Sequence, residues 1–396
     1  MERIVGTVSM GLRSPIIKEG DDISKIVVDT VLKAVELDEF NIRDKDIIAI
    51  TESVVARAQG NYASIDDIAD DVYIKFEDKP FGVIFPILSR NRFSIILKGL
   101  AKKAKKIYLM LSYPADEVGN HLVDMDKLDV KGINPWTDVL TEKEFREYFG
   151  YTTHPFTGVD YIEYYKSIMQ DYDIDFEIIF SNDPLTILKY TKNVIACDVH
   201  TRFRTKTLLK NNGGEIVFGL DEILNTSRNQ SGYNKEYGLL GSNKSTEDQI
   251  KLFPRDSQPI VEQIQNDIKK LTGKTVEVMV YGDGAFKDPV GKIWELADPV
   301  VSPAYTSGLE GTPSEIKLKY LADNQFSHLK GEELKQAISD FIKNKGDSEV
   351  DKMASQGTTP RRLTDLIGSL ADLTSGSGDK GTPIIYIQGY FDSYIK

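Results

Sequence analysis

In the stretch Thr275-Val-Glu-Val-Met-Val-Tyr281-Gly-Asp-Gly-Ala-Phe-Lys-Asp288-Pro-Val-Gly-Lys-Ile-Trp-Glu295-Leu-Ala-Asp298-Pro-Val300, the first half is the most apolar strand pattern of the C-terminal half. Val276–Tyr281 is rich in β-branched and apolar residues, which predicts a buried strand. It stops at Gly282-Asp283-Gly284, where two glycines let the backbone turn sharply and leave one carboxylate at the strand end. Asp288, Glu295 and Asp298 all lie within the next fifteen residues. Converging hard oxygen donors at a strand end suit Mg2+ and a nucleotide phosphate. The same residues also read as an Asp-Gly turn with solvated acids.

Upstream, Gln258–Leu271 has the spacing of an amphipathic helix, closed by Thr272-Gly-Lys274, and Tyr237-Gly-Leu-Leu-Gly-Ser-Asn-Lys-Ser245 is a glycine- and hydroxyl-rich loop. The N-terminal part begins with a short strand at Ile4–Val8. Asp22 is placed to N-cap a helix over Ile23–Glu36, with Ile23, Ile26, Val27, Val31, Ala34 and Val35 on one face. A strand at Ile47–Ile50 runs into Thr51-Glu-Ser-Val-Val-Ala-Arg-Ala-Gln-Gly60, a tight turn, short helix and glycine cap. The free N–H groups at such a helix start can hold a phosphate, with Ser53 adding a hydroxyl and Arg57 a cation. An ordinary β-α unit is the other reading.

The run Asp66–Asp71 is acidic and expected at the surface, and from Phe81 the pattern changes. Ser89–Lys106 predicts a helix with Phe93, Ile96, Leu97 and Leu100 inward. Its basic tip, Lys102-Lys-Ala-Lys-Lys106, suits the negative end of a helix dipole and is read as structural. After a strand at Ile107–Leu111 comes an aromatic, polar segment from Tyr113 to Tyr172. Strands at Phe176–Phe180, Val194–Cys197 and Glu215–Phe218 then alternate with helices near Leu185–Tyr190 and Arg202–Leu209, which predicts a parallel, helix-flanked α/β unit. Residues 81–231 are therefore expected to form an inserted α/β domain, and residues 1–80 and 232–396 the domain around it.

Beyond Pro303, helices are expected at Ser314–Asp323 and Gly331–Lys345, and again from Thr359 to about Leu373, before a last strand at Ile384–Ile387. Gly376-Ser-Gly378-Asp-Lys-Gly381 matches G-x-G-x-x-G literally. It follows a helix and precedes a strand, the reverse of what a dinucleotide fingerprint needs, so that reading is rejected. A glycine-rich anion or substrate loop and a flexible connection both stand. There is no P-loop and no G-x-S-x-G elbow.

The 396 residues suggest two or three domains, and the 40% hydrophobic content is ample for real cores. A net charge of −12 argues against nucleic-acid binding. The single cysteine, Cys197, excludes an intrachain disulfide and any multi-cysteine zinc site. The start of the chain lacks a signal-peptide pattern and no apolar run is long enough to span a membrane, so a cytoplasmic protein is expected.

Four separated segments, in one order, resemble the γ-glutamyl ligases that add glutamate to coenzyme F(420)-0. Gly11-Leu-Arg-Ser-Pro-Ile-Ile-Lys-Glu-Gly-Asp-Asp22 resembles that family's opening G-L-P-x-I-K-E-G-D-D. Asp46-Ile-Ile-Ala-Ile, with Val55-Ala-Arg-Ala-Gln-Gly60, resembles its strand followed by V-x-S-K-A-E-G. Gly238-Leu-Leu-Gly-Ser-Asn243 resembles G-I-D-A-S-N, and Leu271-Thr-Gly-Lys274 with Asp283 resembles L-T-G-K and T-D-T. The resemblance covers about residues 1–60 and 236–396 and leaves the insertion outside the pattern.

The resemblance implies a mixed α/β (α+β) ligase that uses GTP or ATP and two divalent cations, Mg2+ or Mn2+, and is often a homodimer. It implies nucleotide contacts at Ser14, Pro15, Ile16, Ile17, Ser53, Arg57 and Asn243, and at Gly376 and Gly378 of the glycine loop. It implies metal ligation at Asp283, with Asp288, Glu295, Asp298 and Asp379 as replacements for family acids that fall here on Leu240 and Ser377. The implied chemistry joins L-glutamate to a small-molecule carboxylate acceptor through an acyl phosphate, with no nucleic-acid or membrane partner. A nucleotide-binding regulatory relative without ligase turnover, and a ligase for a folate-like or peptide acceptor, are the alternatives.

Overall fold

The computed structural model describes residues 4–155, 157–282, 285–287, 294–296, 302–313, 316–344, 362–376 and 378–392. From the N-terminus, β1 (Val8–Leu12) leads to α1 (Ile23–Leu37), β2 (Ile47–Thr51), α2 (Glu52–Ala58), β3 (Tyr62–Ser64) and α3 (Ile65–Phe76). There follow β4 (Phe81–Ile84), α4 (Phe93–Lys102), β5 (Lys106–Leu111), α5 (Met125–Lys131), β6 (Leu140–Thr141), α6 (Glu142–Phe149), α7 (Tyr161–Asp171), β7 (Asp175–Phe180), β8 (Asn193–Ala196), α8 (Arg202–Asn211) and β9 (Ile216–Gly219). The rest is β10 (Ser242–Lys244), β11 (Gln249–Leu252), α9 (Ser257–Thr272), β12 (Glu277–Tyr281), β13 (Ala285–Lys287), β14 (Trp294–Leu296), β15 (Ala304–Tyr305), α10 (Leu318–Tyr320), α11 (Gly331–Lys343), α12 (Leu363–Ser375) and β16 (Ile384–Gln388).

Strands from both chain ends make a five-stranded sheet, ordered β1-β16-β2-β12-β15. β2 and β12 are parallel and the other pairs antiparallel. Its central strands β2, β12 and β16 are mostly apolar because both faces are covered. Ile48, Ile50, Val278 and Val280 face α1 and α9, while Ile47, Ala49, Met279 and Tyr281 face α12. The period-2 alternation thus feeds two separate cores, and each large aliphatic side chain buried there contributes about 1.5–3 kcal/mol. β10, β11 and β3 form a small antiparallel sheet beside it.

A six-stranded sheet, β6-β7-β5-β4-β8-β9, is built wholly from residues 81–219, and its five longer strands are parallel. Val83, Leu109 and Ile195 face α3, α4 and α7; Ile84, Met110, Val194 and Leu209 pack on the opposite side. The fold is the mixed α+β class expected. α3 precedes Phe81 in the chain, yet it shares a core with α4 and the six-stranded sheet.

Several expectations differ from the structure. The first strand is Val8–Leu12 rather than Ile4–Val8, because pairing with β16, Val8 opposite Gln388, overrides local propensity. The helix expected over Ser89–Lys106 is only Phe93–Lys102; Lys106 already opens β5, where its ammonium reaches Asp175 and Glu177 on β7. The expected helix at Ser314–Asp323 reduces to α10 with a π turn at Leu321–Gln325. The acidic run is not all surface. Asp71 is fully buried, bonded by Lys75, the Arg228 guanidinium and the Leu224 N–H. Asp66 and Asp70 do face outward and meet the basic tip of α4 at Lys102 and Lys103. The aromatic segment is largely core: Tyr113, Phe145, Tyr161 and Tyr165 are buried, whereas Trp136 and Tyr151 are exposed. Among the described residues no helix is long and apolar enough to cross a membrane.

Candidate active site

Four sequence segments meet at one edge of the five-stranded sheet, and strand register explains why. The last pair of β2 and β12 is Thr51 opposite Tyr281, so the start of α2 and Gly282 leave the sheet side by side. β16 runs the other way and enters at Ile384, opposite Ile50 on one side and Leu12 on the other. The loop before β16 and the chain after β1 therefore emerge at that same edge. Four strands at ordinary spacing put these exits within about 14 Å of one another.

On the α1 side the edge opens into a cleft of about 1020 Å³, lined among others by Arg13, Pro15, Asp29, Lys33, Lys380 and Thr382. The lining also carries two carboxylates, Asp29, which is paired with Lys25, and Asp38, so the three cations leave a cationic excess that suits an anionic ligand. The glycine loop shapes its wall. Gly376 has φ +62° after α12, and a β-carbon there would lie 2.6 Å from Lys380 Nζ. The Ser14 N–H donates to the Gly381 carbonyl at 3.1 Å, which ties the chain after β1 to this loop.

At the start of α2 the cap residue Thr51 makes no side-chain cap bond, and an acid stands in the first turn. Glu52 in its first turn is 3% exposed, and both its oxygens accept from Lys251 Nζ, at 2.7 and 2.8 Å. The Lys251 ammonium comes from β11, where Lys251 lies directly opposite Asn243. Asn243 Oδ1 in turn accepts from Arg92 Nε and Nη2 at 3.1 and 2.9 Å. A polar line thus runs from the six-stranded sheet, through the small sheet, to the site edge.

Of the candidate residues, Ser14 is tied to the loop before β16, Pro15 lines the cleft, Ser53 lies in the first turn of α2, Arg57 in its last turn, and Gly376, Gly378 and Asp379 in the stretch that leads into β16. Ile16 is 81% exposed, and Ser53 and Arg57 lie one turn apart on the open side of α2. Ile17 is a correction: its side chain is 4% exposed and belongs to the core under α1, so it offers a ligand only backbone. Asn243 is half-buried behind the edge rather than on it. Asp283, Asp288, Asp298 and Ser377 lie outside the described residues, and of Glu295 only its strand is described. Among the described residues no group of three or more His, Cys, Asp or Glu side chains could hold a metal ion. The chemistry of the candidate donor set, all hard carboxylate oxygens, nonetheless suits Mg2+ or Mn2+. Sequence reading missed Lys251 and Arg92; Lys251 falls on the polar face of the alternating strand Gln249–Leu252, which gives no signal of a distant partner.

The family model of F420-0:gamma-glutamyl ligase matches residues 11–389. The chain belongs to that ligase family. The match runs through both the segments that meet at the edge and the inserted sheet, so the insertion lies within the matched span. No curated protein matches the chain significantly. Members of the F420-0:gamma-glutamyl ligase family are ligases, so the chain is an enzyme of the γ-glutamyl ligase type.

Proposed function

We propose that this ligase joins L-glutamate to a small-molecule carboxylate with the help of a purine nucleotide, GTP or ATP, and Mg2+ or Mn2+. The observation that carries the reading is the meeting of three family-like segments and the glycine loop at one sheet edge, beside a cleft lined by Arg13, Lys33 and Lys380. Amide formation from a carboxylate needs an activated acyl group. The acceptor carboxylate takes the γ-phosphoryl group, releasing the nucleoside diphosphate; the glutamate amine then attacks the acyl phosphate carbon and inorganic phosphate leaves. Acids following Gly282, together with Asp379, would hold a divalent cation, which would supply charge neutralisation at the phosphates. The exposed cations of the cleft and Arg57 hold phosphate oxygens. Residues 1–80 and 232–396 are the ligase domain in this proposal, and residues 81–231 recognise the acceptor.

A second reading rests on Leu240. It stands where the family has a metal aspartate, and here it packs against the core of the six-stranded sheet. A relative that binds nucleotide without turnover follows if the remaining acids do not suffice. One experiment separates the two: nucleotide hydrolysis with Mg2+ or Mn2+, with and without L-glutamate and a panel of carboxylate acceptors. Glutamate- and acceptor-dependent release of phosphate supports the ligase; binding of GTP or ATP by calorimetry without any release supports the second reading. Absence of binding in metal-containing buffer defeats both. Asp283→Asn, which removes a charge at little change in size, is expected to abolish metal-dependent binding or turnover with the fold retained.

A further inference from the structure

The six-stranded sheet has a crevice to which none of the phosphoryl-transfer or amide-forming steps has been assigned. Its parallel strands run β7-β5-β4-β8-β9, so the chain winds outward from β4 to β7 in one direction and from β8 to β9 in the other. In such sheets ligands bind in the crevice beyond the carboxyl ends of the two strands flanking the reversal, here β4 and β8.

The loop after β8 is built to hold a carboxylate. Arg202, 7% exposed, draws the carbonyls of Asp198 and Val199 inward to its Nη1, at 3.1 and 2.9 Å, while its Nε donates to Asp221 at 2.7 Å. The amides of Val199, His200 and Thr201 point the other way and converge on the Glu117 carboxylate, at 2.6, 2.9 and 3.0 Å. Successive N–H groups aimed at one point form an anion nest. Its present occupant is a side chain from another loop, the one after β5.

A second observation adds a group of the opposite kind. Asp198 is 1% exposed; its Oδ2 accepts from the hydroxyls of Thr201 and Thr205 at 2.6 and 2.8 Å, but its Oδ1 has no hydrogen-bond partner. The Thr201 hydroxyl, bonded to Asp198 Oδ2, also lies 3.3 Å from Glu117 Oε1, so the Asp198 carboxylate is one hydroxyl away from the nest. Burial, then the nearby Glu117 charge, pushes the Asp198 carboxyl above its usual range. A buried acceptor gains from a donor, so Oδ1 is available to one that a ligand brings.

We propose that this crevice binds a free α-amino acid, its carboxylate replacing Glu117 on the amides of Val199, His200 and Thr201 and its ammonium donating to Asp198 Oδ1. A nest for an anion beside a bare carboxylate is the pattern a zwitterion needs. Phosphate or a dicarboxylate would meet repulsion from Asp198. The adjoining cavity, lined by Pro86, Ile87, Cys197, Leu239 and Leu240 among others, measures about 30 Å³, so a large side chain must project outward. Glu117 acts as a tethered competitor, present at an effective concentration of about millimolar or more.

Calorimetric titration of the full chain with L-alanine, L-glutamate, succinate and inorganic phosphate tests this. L-alanine decides, since it separates the crevice from glutamate binding at the ligase edge. Glu117→Gln is expected to bind L-alanine about tenfold or more tighter than the unaltered chain, because the competent state is freed. Asp198→Asn is expected to lose the preference for L-alanine over succinate. A folded Glu117→Gln chain that does not bind L-alanine overturns the proposal and leaves Glu117 as a brace for the start of α8. Equal or tighter binding of succinate or phosphate overturns it as well. If Glu117→Gln does not fold, Glu117→Asp, too short to fill the nest, takes its place: tighter L-alanine binding supports the proposal and no binding overturns it.

Discussion

Arg92 and Asn243 join the inserted unit to the small sheet: the guanidinium at the entrance of α4 donates through Nε and Nη2 to one oxygen, Asn243 Oδ1, at 3.1 and 2.9 Å. Asn243 sits in the family-like loop, Arg92 in the inserted unit. The contact makes the ligase loop depend on the insertion for its conformation. Under the proposed function, Arg92→Ala is expected to raise the nucleotide KM about tenfold, ~1.4 kcal/mol, with the fold retained. Arg92→Lys should not rescue it, since an ammonium cannot reproduce a planar two-bond donor. An unchanged KM in both variants would show that Asn243 is positioned by something else.

Lys251 and Glu52 form a nearly buried ion pair at the start of α2. Lys251→Met removes the ammonium and leaves the carboxylate desolvated, which should cost about 3 kcal/mol in urea-induced unfolding. Lys251→Met combined with Glu52→Leu should recover most of that loss. A single-variant loss below that of ordinary surface substitutions would mean that Glu52 finds solvent without Lys251.

Gly99 sets how closely α3 and α4 approach. A β-carbon at this position would fall 2.6 Å from the Ile68 β-carbon, a contact that neither helix can relieve by a rotamer change alone. Gly99→Ala is expected to destabilise by about 1–3 kcal/mol despite Ala being the better helix former. Gly378→Ala, where a β-carbon meets nothing within 4 Å, is the comparison and should shift the melting temperature little.

His154 gives a pH signature. Burial first, then His121 and Arg90, push its imidazolium below the ordinary 6.5. The unfolded chain takes up a proton at 6.5 that the folded chain binds only at lower pH. The associated stability is therefore present above 6.5 and is lost as pH falls below it through the folded value. Melting temperatures recorded downward from neutral pH should fall more steeply for the unaltered chain than for His154→Gln. Parallel curves would mean that the ring is protonated without penalty.

Much of the fold was legible because its strands are apolar on both faces. Ile47–Ile50 and Val276–Tyr281 announce themselves as continuous runs, and they are the parallel pair at the centre of the ligase sheet. The parallel character of the inserted sheet was legible from the spacing of strands and helices. Residues whose meaning depends on a distant partner were not. Asp71 looks like one more surface acid until Arg228 is brought to it, and Glu52 like a first-turn acid until Lys251 arrives from β11. Ile17 was read from its place in a motif, but its side chain answers to α1. At the site, the family-like segments included the chain after β1, the start of α2 and the end of β12; they could not show that Arg92 of the inserted unit reaches Asn243.

The place of β16 between β1 and β2 has a consequence for synthesis. The six-stranded sheet has all its strands once Gly219 has left the ribosome, whereas the ligase sheet lacks an interior strand until Ile384–Gln388 emerges. At ordinary translation speeds that interval lasts roughly ten to thirty seconds. Throughout it, β1 has no neighbour to pair with, and the apolar faces of β2 and α1 wait for strands not yet made. The inserted unit is thus the part of the nascent chain able to fold first, and the ligase edge is among the last features to form.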